Sequence, residues 1–360
     1  MKYIPNDFTD EQCKEILISI TKNEELPFEV DEKSKVERFC EGGQSIPLNV
    51  NDEFVVRFPK ENDGNGQITF EEMKRESKIC ELISKHNFAT NVSNVQLVEN
   101  EEYPFAFHKA VNGKTIESFS RDNNVQYKNL SAEQKDLFAK DLAVFLKEMH
   151  SIPLEEARKI PPRNITEKTQ TEFKTKKRHL QKYGILLDEY KIEPKIDEVL
   201  CHNDLHGRNL AIDETKVNIL SGVFDFGMAD IGDRSSDFVK LCTIDRNLAR
   251  KTVDEYNKLS EQKVDMKEVD YKFLSWNAES LEMASKQPKL AANSFEKVTS
   301  AYLSNFRKDI LAEKFEKNNK SIKTKTIEAG TTQNTETTQS IDEATISFYI
   351  NKMKNSKHPK

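Results

Sequence analysis

The sequence lacks long apolar runs, paired cysteines and an excess of basic residues, and each absence argues against a class of protein. No apolar run among the 360 residues approaches the roughly 18–20 residues that a membrane-spanning helix needs, so we expect no membrane partner. The 55 lysine and arginine residues are outnumbered by 61 aspartate and glutamate residues, which gives a net charge of −6. Dedicated nucleic-acid-binding proteins usually carry a basic surface, so we expect no nucleic-acid partner.

The five cysteines form no CxxC pair, and their number is odd. This usage argues against a disulfide framework and against a zinc site. Residues 1–12 lack the basic and then apolar layout of a signal peptide. We therefore expect a cytoplasmic protein with reduced, part-buried thiols. The cysteines are Cys13, Cys40, Cys80, Cys201 and Cys242.

The length allows two or three domains, at roughly 100–200 residues for each. Residues 317–340 differ sharply from the rest, because Lys, Asn, Thr and Gln dominate and large apolar side chains are nearly absent. Such a segment buries too little apolar surface to offset the entropy of ordering, so we predict disorder there. Residues 341–353 favour one last short helix.

Short apolar runs separated by turn residues predict a small antiparallel sheet between residues 36 and 58. The strongest strand signal is Phe54–Phe58, which Pro59 follows. The runs Val95–Val98 and Phe105–Phe107 predict further strands.

A helix is predicted after Thr69, because Thr69 and Glu72 match a capping box and apolar residues then recur every three to four positions. Glu76 places a charge inside this apolar stripe. Two interpretations stay open: Glu76 lies at a solvated edge of the stripe, or it pairs with a basic residue on the adjacent sheet.

Helical patterns dominate the later part of the chain. Ser131 and Gln134 form a second capping box, and apolar residues recur at helical spacing from Phe138 to Met149. Residues 235–315 are again helical in pattern.

The most informative stretch runs from residue 199 to residue 238. It contains His202-Asn203-Asp204, with Asn209 five positions after the aspartate. Two predicted strands, 210–212 and 219–224, form a hairpin that leads into Asp225-Phe226-Gly227. This order is typical of a catalytic loop, a β-hairpin and a metal-binding carboxylate at the end of the hairpin.

These residue types match the needs of phosphoryl transfer, in which positioning and electrostatics carry most of the catalysis. Asp204 is suited to orient an attacking hydroxyl and to accept its proton. The side chains of Asn209 and Asp225 offer oxygen atoms, the ligands that Mg²⁺ prefers. Gly227 permits the sharp turn that directs Asp225 into a cleft.

The stretch resembles the aminoglycoside phosphotransferase family, which shares the protein-kinase-like fold with choline kinases and other small-molecule kinases. Protein kinases have His-Arg-Asp where this chain has His202-Asn203-Asp204. The resemblance implies an α+β, two-lobed architecture. Residues 1–108 would form the N-lobe, with an antiparallel sheet and a helix; residues 109–316 would form a mainly helical C-lobe with catalytic hairpins; and residues 317–360 would form a polar tail.

The resemblance also implies ATP or GTP as phosphoryl donor, Mg²⁺ as cofactor and a set of phosphate-binding residues. Arg57 corresponds to the basic residue that contacts the phosphates, with Lys60 as the alternative. Glu76 corresponds to the helix glutamate that orients that base. Ser45 ends a Gly-Gly-Gln-Ser turn on the phosphate side, and the nucleobase would lie near Phe105–Val111.

Further family positions support the catalytic loop. His202 would support the loop directly, and Asp233 and Asp237 would brace the segment after Asp225. The chain departs from the family pattern at Arg234, where a proline is usual. That departure leaves the expected fold intact and weakens any assignment of a substrate subclass.

The expected acceptor is a small hydroxylated molecule, with an aminoglycoside as the leading candidate. Aminoglycosides are polycations, so their site should carry carboxylates, and Asp230, Glu279 and Glu282 are the candidates. Choline, another amino alcohol or a sugar is the alternative acceptor. The assembly is expected to be a monomer or a homodimer.

Two hypotheses from other classes stay open. Glu61–Glu72 resembles an EF-hand calcium loop, although glutamate stands where aspartate is expected first and a strand pattern precedes it. A calcium-responsive binding protein would use that loop. A pseudokinase would keep the fold without transfer, and the presence of Asp204, Asn209 and Asp225 argues against it.

Overall fold

The computed structural model describes residues 2–5, 7–38, 45–61, 66–116, 125–163, 180–182, 184–185, 197–285 and 296–313, excluding the side chains of 66–68, 125–126 and 282–285. The predicted tail at 317–360 and the turn at Gly42–Gln44 lie outside these residues. The chain divides into two compact units, residues 1–176 with 186–276 and residues 177–185 with 277–360. Parts of both predicted lobes fall in the first unit, and the boundary at residue 108 stays a prediction.

The strands of the first unit are short, and they form three sheets. The strands are β1 Val36–Arg38, β2 Ser45–Val50, β3 Phe54–Pro59, β4 Gln96–Val98, β5 Phe105–Lys109, β6 Lys114–Thr115, β7 Glu198–Cys201, β8 Leu210–Ile212, β9 Leu220–Val223 and β10 Asp230–Asp233.

The helices separate the sheets along the chain. They are α1 Asp10–Thr21, α2 Gly66–Ser84, α3 Val125–Asn129, α4 Ala132–Met149, α5 Leu154–Ala157, α6 Ser236–Val239, α7 Leu241–Ile244, α8 Arg246–Leu259, α9 Met266–Ser285 and α10 over 296–313. Among the described residues, no helix combines the length and the apolar character that crossing a membrane requires.

Five of the strands form an antiparallel sheet in the order β1-β2-β3-β5-β4, as the sequence predicts. In this sheet Arg57 of β3 lies opposite Ala106 of β5. Because side chains alternate across a strand, Val56 and Phe58 share the face opposite to Arg57. Both are fully buried in a core that includes Leu17 of α1.

Helix α1 covers that core, and no helix was predicted there from the sequence. Its N-terminus has a complete capping box, in which Thr9 and Gln12 satisfy each other's backbone N–H groups. Cys13 and Leu17 of this helix are fully buried. The capping box can be found in the sequence, whereas the sheet face against which the helix packs is formed by segments that are distant along the chain.

Helix α2 begins at Gly66, so the prediction that Thr69 caps it was wrong. Thr69 lies inside the first turns and is 6% exposed. The segment that leads into Glu61 is strand β3, where an EF-hand needs a helix. The helix–loop–helix context of a calcium site is therefore missing around Glu61–Glu72, and residues 62–65 of the loop lie outside the described residues.

The remaining elements place the catalytic loop. The capping box of Ser131 and Gln134 is confirmed at the start of α4, which ends at Met149 as predicted. Strand β7 pairs with β10, and β8 pairs with β9. The segment from His202 to Asn209 therefore leaves one sheet and enters another, and Asp225 follows the end of β9.

We expect Leu17→Ala to lower the free energy of unfolding by about 2–5 kcal/mol, because it leaves a cavity in the core between α1 and the sheet. Urea unfolding would measure the change. Leu259→Ala is the matched control, since Leu259 is 46% exposed and its loss should cost less than about 0.5 kcal/mol. Equal effects for the two variants would contradict the assigned core.

Candidate active site

Glu76 joins the sheet, helix α2 and the segment after β9. Its Oε2 accepts a hydrogen bond from the Arg57 guanidinium at 2.5 Å, and its Oε1 accepts one from the backbone N–H of Phe226 at 3.1 Å. The residue is 2% exposed. Of the two interpretations of Glu76, the ion pair with a base on the sheet is therefore confirmed.

The opposite charges of Glu76 and Arg57 offset the free-energy cost of burying each of them. Burial raises the pKa of Glu76, and the Arg57 charge partly offsets that rise. Burial would lower the pKa of Arg57, but the charges of Glu76 and Asp225 outweigh it, so the net direction is upward. The alternative base, Lys60, follows β3, and its backbone forms a bridge to Ile4.

His202 connects the catalytic loop to the strand before Asp225. Its Nδ1 accepts a hydrogen bond from the backbone N–H of Asp204 at 3.2 Å, and its Nε2 lies 3.2 Å from the carbonyl oxygen of Phe224. Nε2 therefore carries the proton and donates to that carbonyl. Burial lowers the pKa of His202, which keeps the ring neutral in this role.

The carboxylate of Asp204 is held by two side chains of its own loop. The Asn209 amide nitrogen donates to the Asp204 carbonyl at 3.0 Å and to its Oδ2 at 3.3 Å. His206 Nε2 lies 3.4 Å from the same Oδ2. Burial alone would raise the pKa of Asp204, but the contact with His206 and the charge of Lys240 lower it. Asp204 is therefore ionised at neutral pH.

Asp225 presents its carboxylate beside this loop. Its φ of 64° lies in the left-handed region, and a Cβ at Gly227 would come 3.4 Å from Asp225 Oδ1. Within the described part of the chain, the exposed Asp225 carboxylate accepts no hydrogen bond. The backbone N–H of Phe224 donates to the Asn209 carbonyl at 3.2 Å, which brings Asn209 close to Asp225.

The donor set of these two residues fits a hard divalent cation. The amide nitrogen of Asn209 is committed to Asp204, so its side-chain oxygen is left for another partner. That oxygen and the Asp225 carboxylate are the ligand types that Mg²⁺ prefers. The residues present therefore match the predicted magnesium site.

Asp237 organises the catalytic loop from behind. Its carboxylate accepts hydrogen bonds from the backbone N–H groups of His202 at 3.0 Å and Asn203 at 2.6 Å. These contacts fit the prediction that Asp237 supports the catalytic loop, and they reach the loop itself rather than the segment after Asp225. Asn203 has a φ of 65°, a left-handed conformation that these contacts hold.

Asp233 has a more local role. Its Oδ1 accepts hydrogen bonds from the backbone and the hydroxyl of Ser235 and pairs with Lys272 at 2.5 Å. The residue stabilises the turn that leads into α6. In the described structure, its carboxylate does not reach the segment immediately after Asp225.

The contacts of the described residues leave the acceptor role of the three predicted carboxylates untested. Asp230 pairs with Arg75 at 3.1 Å and accepts a hydrogen bond from the Arg163 backbone at 3.2 Å. Glu279 is exposed on α9 in the second compact unit. The side chain of Glu282 lies outside the described residues, so its role and that of Glu279 stay predictions.

Ser45 begins β2, and its role in the phosphate-side turn stays a prediction because the rest of the turn is not described. Lys240 was missing from the sequence-based site. Its ammonium lies 3.5 Å from the centre of the Trp276 ring, and its charge lowers the pKa of Asp204. No local motif marks Lys240, because it lies 36 positions after Asp204 in the sequence.

Comparison with known families decides the identity of the fold. The sequence profile of the phosphotransferase enzyme family (APH) matches residues 48–270. The chain belongs to the phosphotransferase enzyme family. A search of curated protein sequences finds no significant match.

Solved structures have the same fold as this phosphotransferase. The GDP complex of aminoglycoside 2'-phosphotransferase-IIIa has a TM-score of 0.63 at 18% identity, covering 83% of this chain and 99% of that one. Macrolide 2'-phosphotransferase type I has a TM-score of 0.52 at 14% identity, covering 84% and 99%. The predicted protein-kinase-like fold is confirmed.

One buried histidine of this phosphotransferase lies near Arg57. His108 on β5 is 8% exposed, and its Nδ1 donates to the Lys109 carbonyl at 2.9 Å. Burial, and then the Arg57 charge, lower the pKa of His108 from 6.5 to about 4. Below the pKa that His108 has in the unfolded chain, the unfolded chain binds a proton at this residue and the folded chain does not. Acid therefore favours unfolding.

We expect wild-type protein to lose about 3 kcal/mol more stability than His108→Gln as the pH falls from 6.5 to about 4. The loss is absent above pH 6.5, where both states are deprotonated. Urea unfolding of both proteins at several pH values would measure it. A constant difference across that window would contradict the buried neutral histidine.

Proposed function

We propose that this phosphotransferase transfers the terminal phosphoryl group of ATP or GTP to a hydroxyl of an aminoglycoside. The observation that carries the proposal is the arrangement of Asp204, Asn209 and Asp225 on one loop and one strand end. Asn209 bonds Asp204 directly and meets the backbone beside Asp225. Together they offer a base and a cation site next to each other.

Asp204 is the proposed general base. Its carboxylate is ionised because His206 and Lys240 stabilise its negative charge, so it can accept the proton of an attacking hydroxyl. Asn209 and His206 fix the direction of the carboxylate. A fixed base orients the hydroxyl for in-line attack, which supplies much of the rate of phosphoryl transfer.

Arg57 is the proposed phosphate-binding residue. Glu76 holds one nitrogen of its guanidinium, and the planar group has further N–H donors for phosphate oxygens. Asn209 and Asp225 would hold Mg²⁺, which neutralises phosphate charge when bound. Because Glu76 also bonds the Phe226 backbone, the base on the sheet and the Asp225 segment are held in one arrangement.

Solved relatives support the aminoglycoside and the open choice of nucleotide. One is described as a GDP and kanamycin complex, at a TM-score of 0.61, and another as a streptomycin–ATP ternary complex, at 0.50. A neutral or singly charged acceptor, such as a sugar or an amino alcohol, is the second candidate. It is favoured by the pairing of Asp230 with Arg75, which neutralises a carboxylate that a polycation would need.

We expect Asp204→Ala to abolish transfer while nucleotide binding persists, because the variant removes the base and leaves Arg57 and Asp225 in place. Turnover with ATP and GTP would be measured across aminoglycosides, choline, ethanolamine and small sugars. Asp136→Ala is the control, since its side chain is 62% exposed on α4 and should leave turnover unchanged.

Each outcome bears on a different part of the proposal. Transfer to one acceptor class that Asp204→Ala loses supports the enzyme and names the acceptor. Unchanged turnover in Asp204→Ala contradicts the assigned base. Nucleotide binding by wild-type protein without transfer to any acceptor contradicts the proposed aminoglycoside and favours an acceptor outside the panel or a pseudokinase.

A further inference from the structure

A continuous chain of buried polar side chains runs from Arg234 to Asp237, and half-buried Asp197 pairs with its first member. Arg234 holds Asp197 through Nε at 2.6 Å and Nη2 at 3.1 Å, and its Nη1 donates to the Tyr256 hydroxyl at 2.5 Å. The Tyr256 hydroxyl lies 3.0 Å from His150 Nδ1. His150 Nε2 lies 3.0 Å from Asp237 Oδ2.

The donor and acceptor chemistry of these groups, together with the burial of Tyr256, sets the direction of the bonds in this chain. A guanidinium donates and never accepts, so the Tyr256 oxygen is the acceptor from Arg234. Tyr256 is fully buried, and within the described residues its hydroxyl reaches His150 Nδ1 as acceptor, so the single hydroxyl proton is donated to Nδ1. Nδ1 must therefore be unprotonated, and the proton of the neutral ring lies on Nε2, where it is donated to Asp237.

We propose that Arg234 is a positioning residue that acts through Tyr256 to hold His150 as the neutral Nε2–H tautomer. Asp237 then accepts a hydrogen bond from the neutral His150 ring and keeps its full negative charge. That charge holds the backbone N–H groups of His202 and Asn203, which precede the base.

Three polar groups face His150. Asp237 of α6 and Tyr256 of α8 face its two nitrogens, and Cys201 of β7 completes a buried group whose ligand atoms lie within 4.8 Å of one another. Burial, and then the charges of Asp237 and Asp233, raise the pKa of Cys201 well above its usual value. Cys201 is therefore a neutral thiol.

A metal ion is a poor occupant of that group. Both nitrogens of His150 already have hydrogen-bond partners, and Asp237 accepts three hydrogen bonds. A thiol that resists ionisation is a weak ligand, since the thiolate is the form that binds metal. The hydrogen-bonded chain accounts for His150 and Asp237, and the Cys201 thiol donates to the Asp233 carbonyl at 3.4 Å.

Loss of Arg234 should change the protonation of His150. Without the guanidinium, the Tyr256 hydroxyl is free to accept a hydrogen bond, so Nδ1 can take up a proton as the pH falls. An imidazolium would compete with the loop N–H groups for the charge of Asp237. The hydrogen bond to Asp237 that holds Asn203 in its left-handed backbone conformation would weaken.

The direct test is nitrogen NMR of histidine-labelled protein between about pH 6 and pH 8, the range in which histidine titrates. The His150 signals would be assigned by their loss in His150→Gln. We expect wild-type protein to show Nε2–H and bare Nδ1 throughout. Arg234→Met should gain a proton on Nδ1 at the acidic end, whereas in Tyr256→Phe the Nδ1 signal should shift because Nδ1 loses its hydrogen bond.

A kinetic test rests on the proposed function, whereas the NMR test does not. With the acceptor that wild-type protein uses, kcat of Arg234→Met should fall about tenfold at the acidic end, the effect of weakening one hydrogen bond to a charged group. The KM for nucleotide should stay unchanged. Arg234→Lys, which keeps a cationic donor, should restore most of the wild-type pH profile.

Arg246→Met is the matched control, because it breaks a buried arginine–aspartate pair elsewhere in the same unit, with Asp270 at 2.7 Å. It should lower stability without changing the His150 spectrum or the pH profile. A protonated Nδ1 in wild-type protein overturns the proposal. So does a wild-type spectrum in Tyr256→Phe, or the same spectral change in Arg246→Met. Tyr256→Phe decides the question if Arg234→Met fails to fold.

Discussion

The site depends first on the buried carboxylate of Glu76. One oxygen binds the Arg57 guanidinium on the sheet, and the other binds the backbone N–H of Phe226, one residue after Asp225. A buried ion pair of this kind contributes little net stability, but removal of one partner leaves an uncompensated charge. The pair therefore acts mainly as a constraint on geometry: it keeps the proposed phosphate-binding base and the proposed cation-binding carboxylate in fixed relation.

A second buried carboxylate applies the same constraint to the catalytic loop. Asp237 accepts the N–H groups of His202 and Asn203, and His202 in turn joins the loop to the strand before Asp225. Asn203 and Asp225 both adopt left-handed backbone, which costs free energy in a non-glycine residue. The two strained positions lie beside the proposed base and the proposed cation site, and the surrounding hydrogen bonds hold them there.

Local signals in the sequence predicted the parts of this arrangement that depend on neighbouring residues. The capping box at Ser131 and the strand at Phe54–Phe58 are of this kind. Helix α2 begins at Gly66, which is earlier than predicted. The capping-box match at Thr69 is only a local pattern, and it did not mark the start of the helix. The bond from Arg234 to Tyr256 spans 22 residues and that from His150 to Asp237 spans 87, so no spacing rule could find them.

The central claim is that Asp225 and Asn209 form the cation site at which a nucleoside triphosphate binds beside Asp204. Calorimetric titration of ATP and GTP, with and without Mg²⁺, into wild-type protein and Asp225→Asn tests it most directly. We expect Mg²⁺ to strengthen nucleotide binding to wild-type protein and to have little effect in Asp225→Asn. Equal dependence on Mg²⁺ in both proteins, or no nucleotide binding by wild-type protein, would contradict the account.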